Sequence, residues 1–213
     1  FPLIKGGDNI FQKFKETFEQ HLLSSKLNLI QGLELFQQRD ICLGCTQYID
    51  NLYMQNKEVQ VLENEYKYHH RLGIAKIDKK LIPNVPLIIS IPNASGKHFI
   101  YEKLFNECLF KNIEVHIDCA WYTASTHLDI DLTHPAISSA GFSMSKGYGT
   151  GFNRVGLRYS RKKVQDSISL QNDFQMIHSI PVQIGLYFLD NLSPDHLWSV
   201  YKNRYYQICK DFN

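Results

Sequence analysis

The sequence predicts an α/β fold, a three-layer sandwich in which a mostly parallel central sheet is flanked by helices. Two observations carry this. Short apolar and β-branched runs alternate along the chain with segments of helical periodicity, the pattern of strands joined by crossover helices. Polar residues also recur where those runs end, at Gly44–Thr46, Asn93, Asp118 and Ser143–Lys146. Open α/β sheets bind their ligands beyond the carboxyl ends of the strands.

Taken in order, residues 9–37 read as helical, because Phe11, Phe14, Phe18, Leu22 and Leu23 recur at spacings of three and four. A short apolar segment, Ile41–Leu43, stops at Gly44, and residues 46–55 are again helical. Val59–Leu62 is a brief β-branched run. Pro86–Ile91 reads as a buried strand stopped by Pro92. Residues 97–111 form an amphipathic helix with Phe99, Leu104, Leu109 and Phe110 as its apolar members. Ile113–Ile117 is a strand ending at Asp118. Ala140–Phe142 and Val155–Tyr159 are strands bracketing a Gly-rich turn, and residues 163–213 are mainly helical. The expected divisions are an N-terminal helical segment (1–37), a sheet-bearing domain (38–162) and a C-terminal helical segment (163–213).

Composition narrows the partners. The chain has 213 residues, 44% of them hydrophobic, enough for one sizeable core. A net charge of +2 is no polyelectrolyte signature, so no nucleic-acid partner is expected. No apolar run approaches the roughly 20 residues that span a bilayer. Cys42, Cys45, Cys108, Cys119 and Cys209 are odd in number and lack framework spacing, which points to reduced thiols and a cytoplasmic setting. The Cys42–Cys45 pair has no second pair at metal spacing, and reads as two small buried residues at a strand end. The run H-L-D-I-D-L-T-H, with His127, Asp129, Asp131 and His134, reads as a short extended segment with its polar face in solvent rather than a metal centre, so no metal site is expected.

The densest chemistry lies in F-S-M-S-K-G-Y-G-T-G-F-N-R-V-G, from Phe142 to Gly156. It sets one Lys among Ser and Gly, with an Arg eight positions on. This segment resembles the Schiff-base segment of the aspartate-aminotransferase (fold-type I) family of pyridoxal phosphate (PLP) enzymes, in which Ser precedes Lys by three and Arg follows by eight. Those positions are Ser143, Lys146 and Arg154. The resemblance implies Lys146 as the Schiff-base residue and catalytic base, and Ser143 and Arg154 as phosphate ligands, with Ser145 as a further one.

Other motifs follow in the family's order. L-G-C-T-Q resembles its Gly-containing phosphate loop. There Gly44 permits the turn, and the N–H groups of Cys45 and Thr46 face the phosphate. E-N-E-Y-K-Y-H-H resembles the segment that supplies a stacking aromatic, implying Tyr66 over the ring and His69 behind the pyridine-binding carboxylate. I-P-N-A-S-G resembles an N-P-T-G turn, with Ala94 in place of the usual Pro, and implies Asn93 at the ring's phenolic oxygen. I-D-C-A-W-Y resembles a D-x-A-Y segment and implies Asp118 at the pyridine nitrogen. The family's Tyr at the phenolic oxygen falls on Trp121, with Tyr122 next to it as a one-residue alternative.

What the resemblance implies is the large-domain type of PLP-dependent transferases with a small or missing C-terminal domain. It also implies a PLP cofactor, a small-molecule amine or amino-acid substrate, and a homodimer. The interval from Tyr66 to Asn93 is short for that family, which suggests a trimmed strand or helix. No counterpart of the family's substrate-carboxylate Arg stands out; Arg204, in K-N-R-Y-Y, reads as a helix-surface residue. The leading expectation is an aminotransferase-like enzyme. A decarboxylase or lyase, a reduced domain with a binding or regulatory role, and an α/β domain for another phosphorylated ligand remain open.

Overall fold

In a computed structural model of the protein, residues 9–73, 75–77, 80–93 and 101–212 are described. Ala94 and the first residues of the helix expected at 97–111 lie outside them.

Helix α1 (Ile10–Leu23) begins where the Asn9 side chain accepts the Gln12 N–H at 3.1 Å, and buries Phe14, Phe18 and Leu22 on one stripe. It ends far short of residue 37. The Ser25 hydroxyl takes up the N–H groups of Leu27 and Asn28, and the Asn28 side chain bonds Leu128 N and Ser125 O. The chain is thereby drawn into strand β1 (Leu29–Gln31), which pairs in parallel with β7 (Asp129–Asp131) as a separate two-stranded sheet. Local side-chain bonding overrides the helical periodicity there. The alternation across Asp129, Ile130 and Asp131 is as the sequence reads, with Ile130 buried and both acids exposed.

The main sheet has seven strands: β2 (Gln38–Cys42), β3 (Gln60–Val61), β4 (Lys76–Ile77), β5 (Leu87–Ser90), β6 (Val115–Cys119), β8 (Ile137–Ser143) and β9 (Gly156–Ser160). Their spatial order is β2-β9-β8-β6-β5-β3-β4. Only β9 runs against the others, pairing antiparallel with both neighbours. Every residue of β5 and β6 is buried, as expected of parallel strands covered on both faces. The short interval between Tyr66 and Asn93 still holds α3 (Lys67–Leu72), β4 and β5.

Two hydrophobic layers flank the sheet. On one side α1, α4 (Tyr101–Phe110) and α6 (Ser179–Asn191) share a core with Leu87, Ile89, Val115 and Ile117. In α4 the buried pair is Phe105 and Cys108, and Leu109 and Phe110 are exposed, a rotation of the face the sequence suggested. On the other side α2 (Gly44–Gln55) packs Tyr48, Ile49 and Leu52 against Val59, Val61 and Ile88. Alternate residues of β5 thus serve opposite layers, as the period of a strand requires. Helix α5 (Ser167–Asp173) leans on β2, and α7 (His196–Phe212), which carries Arg204, has no buried residue. No helix among the described residues is long and apolar enough to cross a membrane.

The polar anchor of the α2–α5 side is Arg158 on β9, which forms ion pairs with Asp40 and Asp166 with all three side chains buried. Asp166 also caps α5 and accepts from Asn51 of α2. Burial alone would raise the Asp166 pKa, but the bonds from Arg158 and the Ser169 N–H outweigh it and hold it below the ordinary value. Arg158→Met should therefore cost about 3–5 kcal/mol at pH 7, because it strands two buried carboxylates. A group with a depressed pKa contributes stability above its unfolded value, near 4, and loses it as pH falls through the folded value. The deficit should accordingly shrink below pH ~4. Urea unfolding of both proteins at pH 7 and pH 3 measures this, and an equal deficit at both would contradict it.

Candidate active site

Strands β5, β6 and β8 end side by side, and α2 starts next to them. Ser90 is the register partner of Asp118, and Asp118 of Gly141. Between these ends opens a cleft that brings together Cys45, Thr46, Tyr66, Asp118, Trp121, Ser143, Ser145, Lys146 and Arg154. Four separate segments of sequence therefore meet at one place.

One corner gathers groups that suit an anion. Gly44 opens α2 with φ +71°. A Cβ there would lie 2.9 Å from Ser143 Oγ and 3.6 Å from Ser145 Oγ, so only glycine leaves the cradle clear. Leu43, at the N-cap, offers no side-chain acceptor to the first turn of α2, leaving N–H groups and the positive end of the helix dipole toward the cradle. Arg154 donates from Nη2 to Thr46 Oγ1 at 3.2 Å, and the Ser143 hydroxyl lies 3.1 Å from that of Ser145.

The opposite wall is acidic. Asp118 is buried, accepting from the Ala120 N–H at 2.9 Å. Burial pushes its pKa up, against the opposing pull of the Cys45 thiol, the Ala120 N–H and the charge of Lys146. Lys146 is exposed, with Nζ 4.7 Å from the ring centroid of Trp121, a cation–π contact. Tyr66 caps α3 half-exposed at the rim, its ring stacked on Tyr68.

Three expected side chains, those of Tyr122, His69 and Asn93, are not among those that line the cleft. Tyr122 is buried beneath the cleft, where its hydroxyl donates to the Leu22 carbonyl and its ring meets Phe142 edge-on. No hydrogen bond joins His69 to Asp118 among the described residues. His69 is fully buried, its Nδ1 sits 2.6 Å from the Tyr53 hydroxyl, and burial pushes its pKa down to about 4, so it is neutral. Asn93 is buried and donates from Nδ2 to Glu65 Oε1 at 3.2 Å. Glu65 itself gave no signal in the sequence: it sits in a run of polar residues, E-N-E, where nothing marks the second acid as buried.

A larger cavity, about 470 Å³ against about 50 Å³ for the cleft, lies at the other end of the sheet, beside His116, Ser139 and Arg158. Its buried ionic groups are already paired, Arg158 with Asp40 and Asp166, and Ser139 bonds both Tyr48 and His116. The smaller cleft is the better candidate, because its amine, guanidinium and hydroxyls converge on open space.

No family model matches the sequence, and no curated protein matches it. Solved structures do. An aminotransferase from Staphylococcus aureus superposes with a TM-score of 0.63 at 16% identity, covering 93% of this chain and 61% of that one. A PLP-dependent aminotransferase from Streptococcus suis gives 0.55 at 17%, covering 85% and 62%. An L-threonine-O-3-phosphate decarboxylase from Porphyromonas gingivalis gives 0.58 at 8%, covering 85% and 61%. The fold is that of the fold-type I aminotransferases. The chain spans about three fifths of the length of these proteins, and at such identities the likeness establishes architecture alone.

The buried Asp118 yields a prediction independent of any ligand. An acid whose folded pKa is raised favours the folded state below its unfolded pKa, and that advantage is lost as pH rises through the folded value. Asp118→Asn should therefore stabilise the ligand-free protein at pH 8 and make little difference at pH 3. Thermal unfolding at the two pH values reads this out; a less stable variant at pH 8 would show that its donors hold the carboxylate better than burial penalises it.

Proposed function

We propose that this protein binds pyridoxal phosphate through Lys146 and is a PLP-dependent, aminotransferase-like enzyme acting on an amino acid or amino compound. The observation that carries this reading is the meeting, in one cleft, of an anion cradle, a buried carboxylate and a lysine amine, contributed by separate strand ends of a fold shared with such enzymes.

The residues fit the group. The cradle left by Gly44, with Ser143, Ser145, Arg154 and the start of α2, suits a phosphate dianion. Asp118 is a buried acid at the opposite wall, and a protonated pyridine nitrogen would supply the cation that offsets its burial. Bound PLP supplies an aldehyde carbon that condenses with amines and a ring that takes up electron density.

The chain's own groups would do the rest. Lys146 is the residue that would hold the group covalently, and its amine would serve as the base that moves the proton at the substrate Cα. Trp121 and Tyr66 stand at the rim of the cleft, where their rings would cover part of a bound ligand. Asp118 keeps the ring nitrogen protonated. We further take the working unit to be a homodimer, consistent with an open cleft whose rim residues Tyr66, Trp121 and Lys146 are all exposed.

The test is an absorbance spectrum of purified protein with PLP, before and after borohydride, with mapping of the reduced adduct. An adduct on Lys146, lost in Lys146→Ala, is expected; no band and no adduct sinks the reading. Arg154→Ala should weaken PLP binding about 10- to 100-fold, the worth of a charge-assisted bond to phosphate. The same change should leave pyridoxal, which lacks the phosphate, almost unaffected in equilibrium dialysis.

A further inference from the structure

Lys146 sits in a turn that is held at two places. The Tyr148 N–H donates to the Met144 carbonyl at 3.0 Å, so the backbone closes around Ser145, Lys146 and Gly147. A Cβ on Gly147 would lie 2.3 Å from the Thr123 carbonyl oxygen, so the turn is pressed against Thr123. The Thr123 hydroxyl in turn donates to the Ser143 carbonyl at 3.1 Å. The second hold is the side chain of Tyr148. Its ring stacks on Phe188 of α6, with centroids 6.1 Å apart, and meets His21 of α1 edge-on at 5.7 Å. The Tyr148 hydroxyl is hydrogen-bonded to His21 Nε2.

That bond has one direction. Burial pushes the His21 pKa down, against the hydrogen bond to the Leu189 carbonyl and the charge of Asp195. A neutral imidazole carries one N–H. With that N–H given to the Leu189 carbonyl, Nε2 is the acceptor and Tyr148 donates. His21 also departs from the pattern of its helix, which buries Phe14, Phe18 and Leu22 beside it. A Leu at this position would fill the same layer without the cost of burying a polar ring. What the imidazole adds is a directional acceptor, and it serves a residue two positions from Lys146.

We infer that His21 is a positioning residue for the Lys146 amine: through the Tyr148 hydroxyl it holds the turn that sets Lys146 Nζ over the Trp121 ring at the cleft. Its bearing on function rests on the proposed reading, in which Lys146 holds PLP. Helix α1 thereby acts on the site without lining it.

The test reads the lysine with and without the cofactor. In the ligand-free protein, lysines are reductively methylated with isotope-labelled formaldehyde, and the Lys146 methyl resonance is assigned by its loss in Lys146→Arg. A methylated amine keeps its charge and its attraction to the indole, so the ring current of Trp121 should set this resonance upfield of the other lysines. Tyr148→Phe, which removes only the hydroxyl, and His21→Leu should each move it toward the others. His21→Gln, whose amide oxygen can accept the same bond, should keep it upfield. The Tyr148→Phe/His21→Leu double variant should move it no further than either single change, because the two residues act through one bond. In unmethylated protein, Tyr148→Phe and His21→Leu should weaken PLP uptake by up to about 10-fold, the worth of one neutral hydrogen bond, and His21→Gln should retain it. An unmoved resonance in Tyr148→Phe, additive shifts, or a Gln variant that behaves as the Leu variant overturns the inference. Should His21→Leu not fold, Tyr148→Phe set against His21→Gln makes the same comparison. A protein that takes up no PLP refutes the cofactor reading, and the methyl resonance then decides the His21–Lys146 link on its own.

Discussion

The ladder that sets Ser90, Asp118 and Gly141 abreast on three buried parallel strands is the constraint on which the rest depends. Parallel strands covered on both faces have one register, because a one-residue slip would exchange the residues of the two layers. With that register set, Asp118 must come to the carboxyl edge between the ends of β5 and β8. Gly141 then decides where α2 lies: a Cβ there would meet the Tyr48 ring at 2.4 Å, so the bare backbone lets the helix settle against the sheet. Tyr48 in turn bonds Ser139 through its hydroxyl, and one turn earlier the start of α2 arrives beside Ser143. The space kept open beside Gly44, Ser143 and Ser145 is a consequence of how a helix packs on a strand.

Electrostatics divides the molecule into two regimes. Around Arg158 the buried charges are mutually satisfied and join β2, β9, α2 and α5, which is what a structural network does. At the carboxyl ends of the strands the balance is different. Asp118 and Glu65 are both buried, both have raised pKa values, and neither is in contact with a cation among the described residues. Acids held at a cost in a cleft are a common mark of a working site. The lysine nearest Asp118 in its field, Lys146, rests instead against an indole ring.

Much of this was legible in the sequence where one segment carries both the strand and its terminal polar group. The Phe142–Gly156 run, the I-D-C-A stretch and L-G-C-T each fix a side chain relative to an adjacent backbone, and the cleft assembles them. The failures share a cause. The helix expected to 37 stops at Leu23 because Ser25 takes up the N–H groups of Leu27 and Asn28 and the Asn28 side chain bonds across to Ser125 and Leu128, and no local pattern reports such a partner. His69 was expected behind Asp118 by spacing from Tyr66, yet Tyr53 of α2 captures it. Tyr122 follows Trp121, but the turn after β6 sends consecutive side chains to opposite environments. Glu65 was missed because burial of an acid is a tertiary property that its polar neighbours conceal.

The departure at Trp121 changes what the cleft can offer at the place where the resemblance implies a hydroxyl. Where the family places a tyrosine hydroxyl at the phenolic oxygen, this chain offers an indole already engaged with the Lys146 amine. The adjacent Tyr122 hydroxyl is committed to the Leu22 carbonyl. An indole has one N–H at a fixed edge and no acceptor, so it cannot reproduce a hydroxyl that turns to suit its partner.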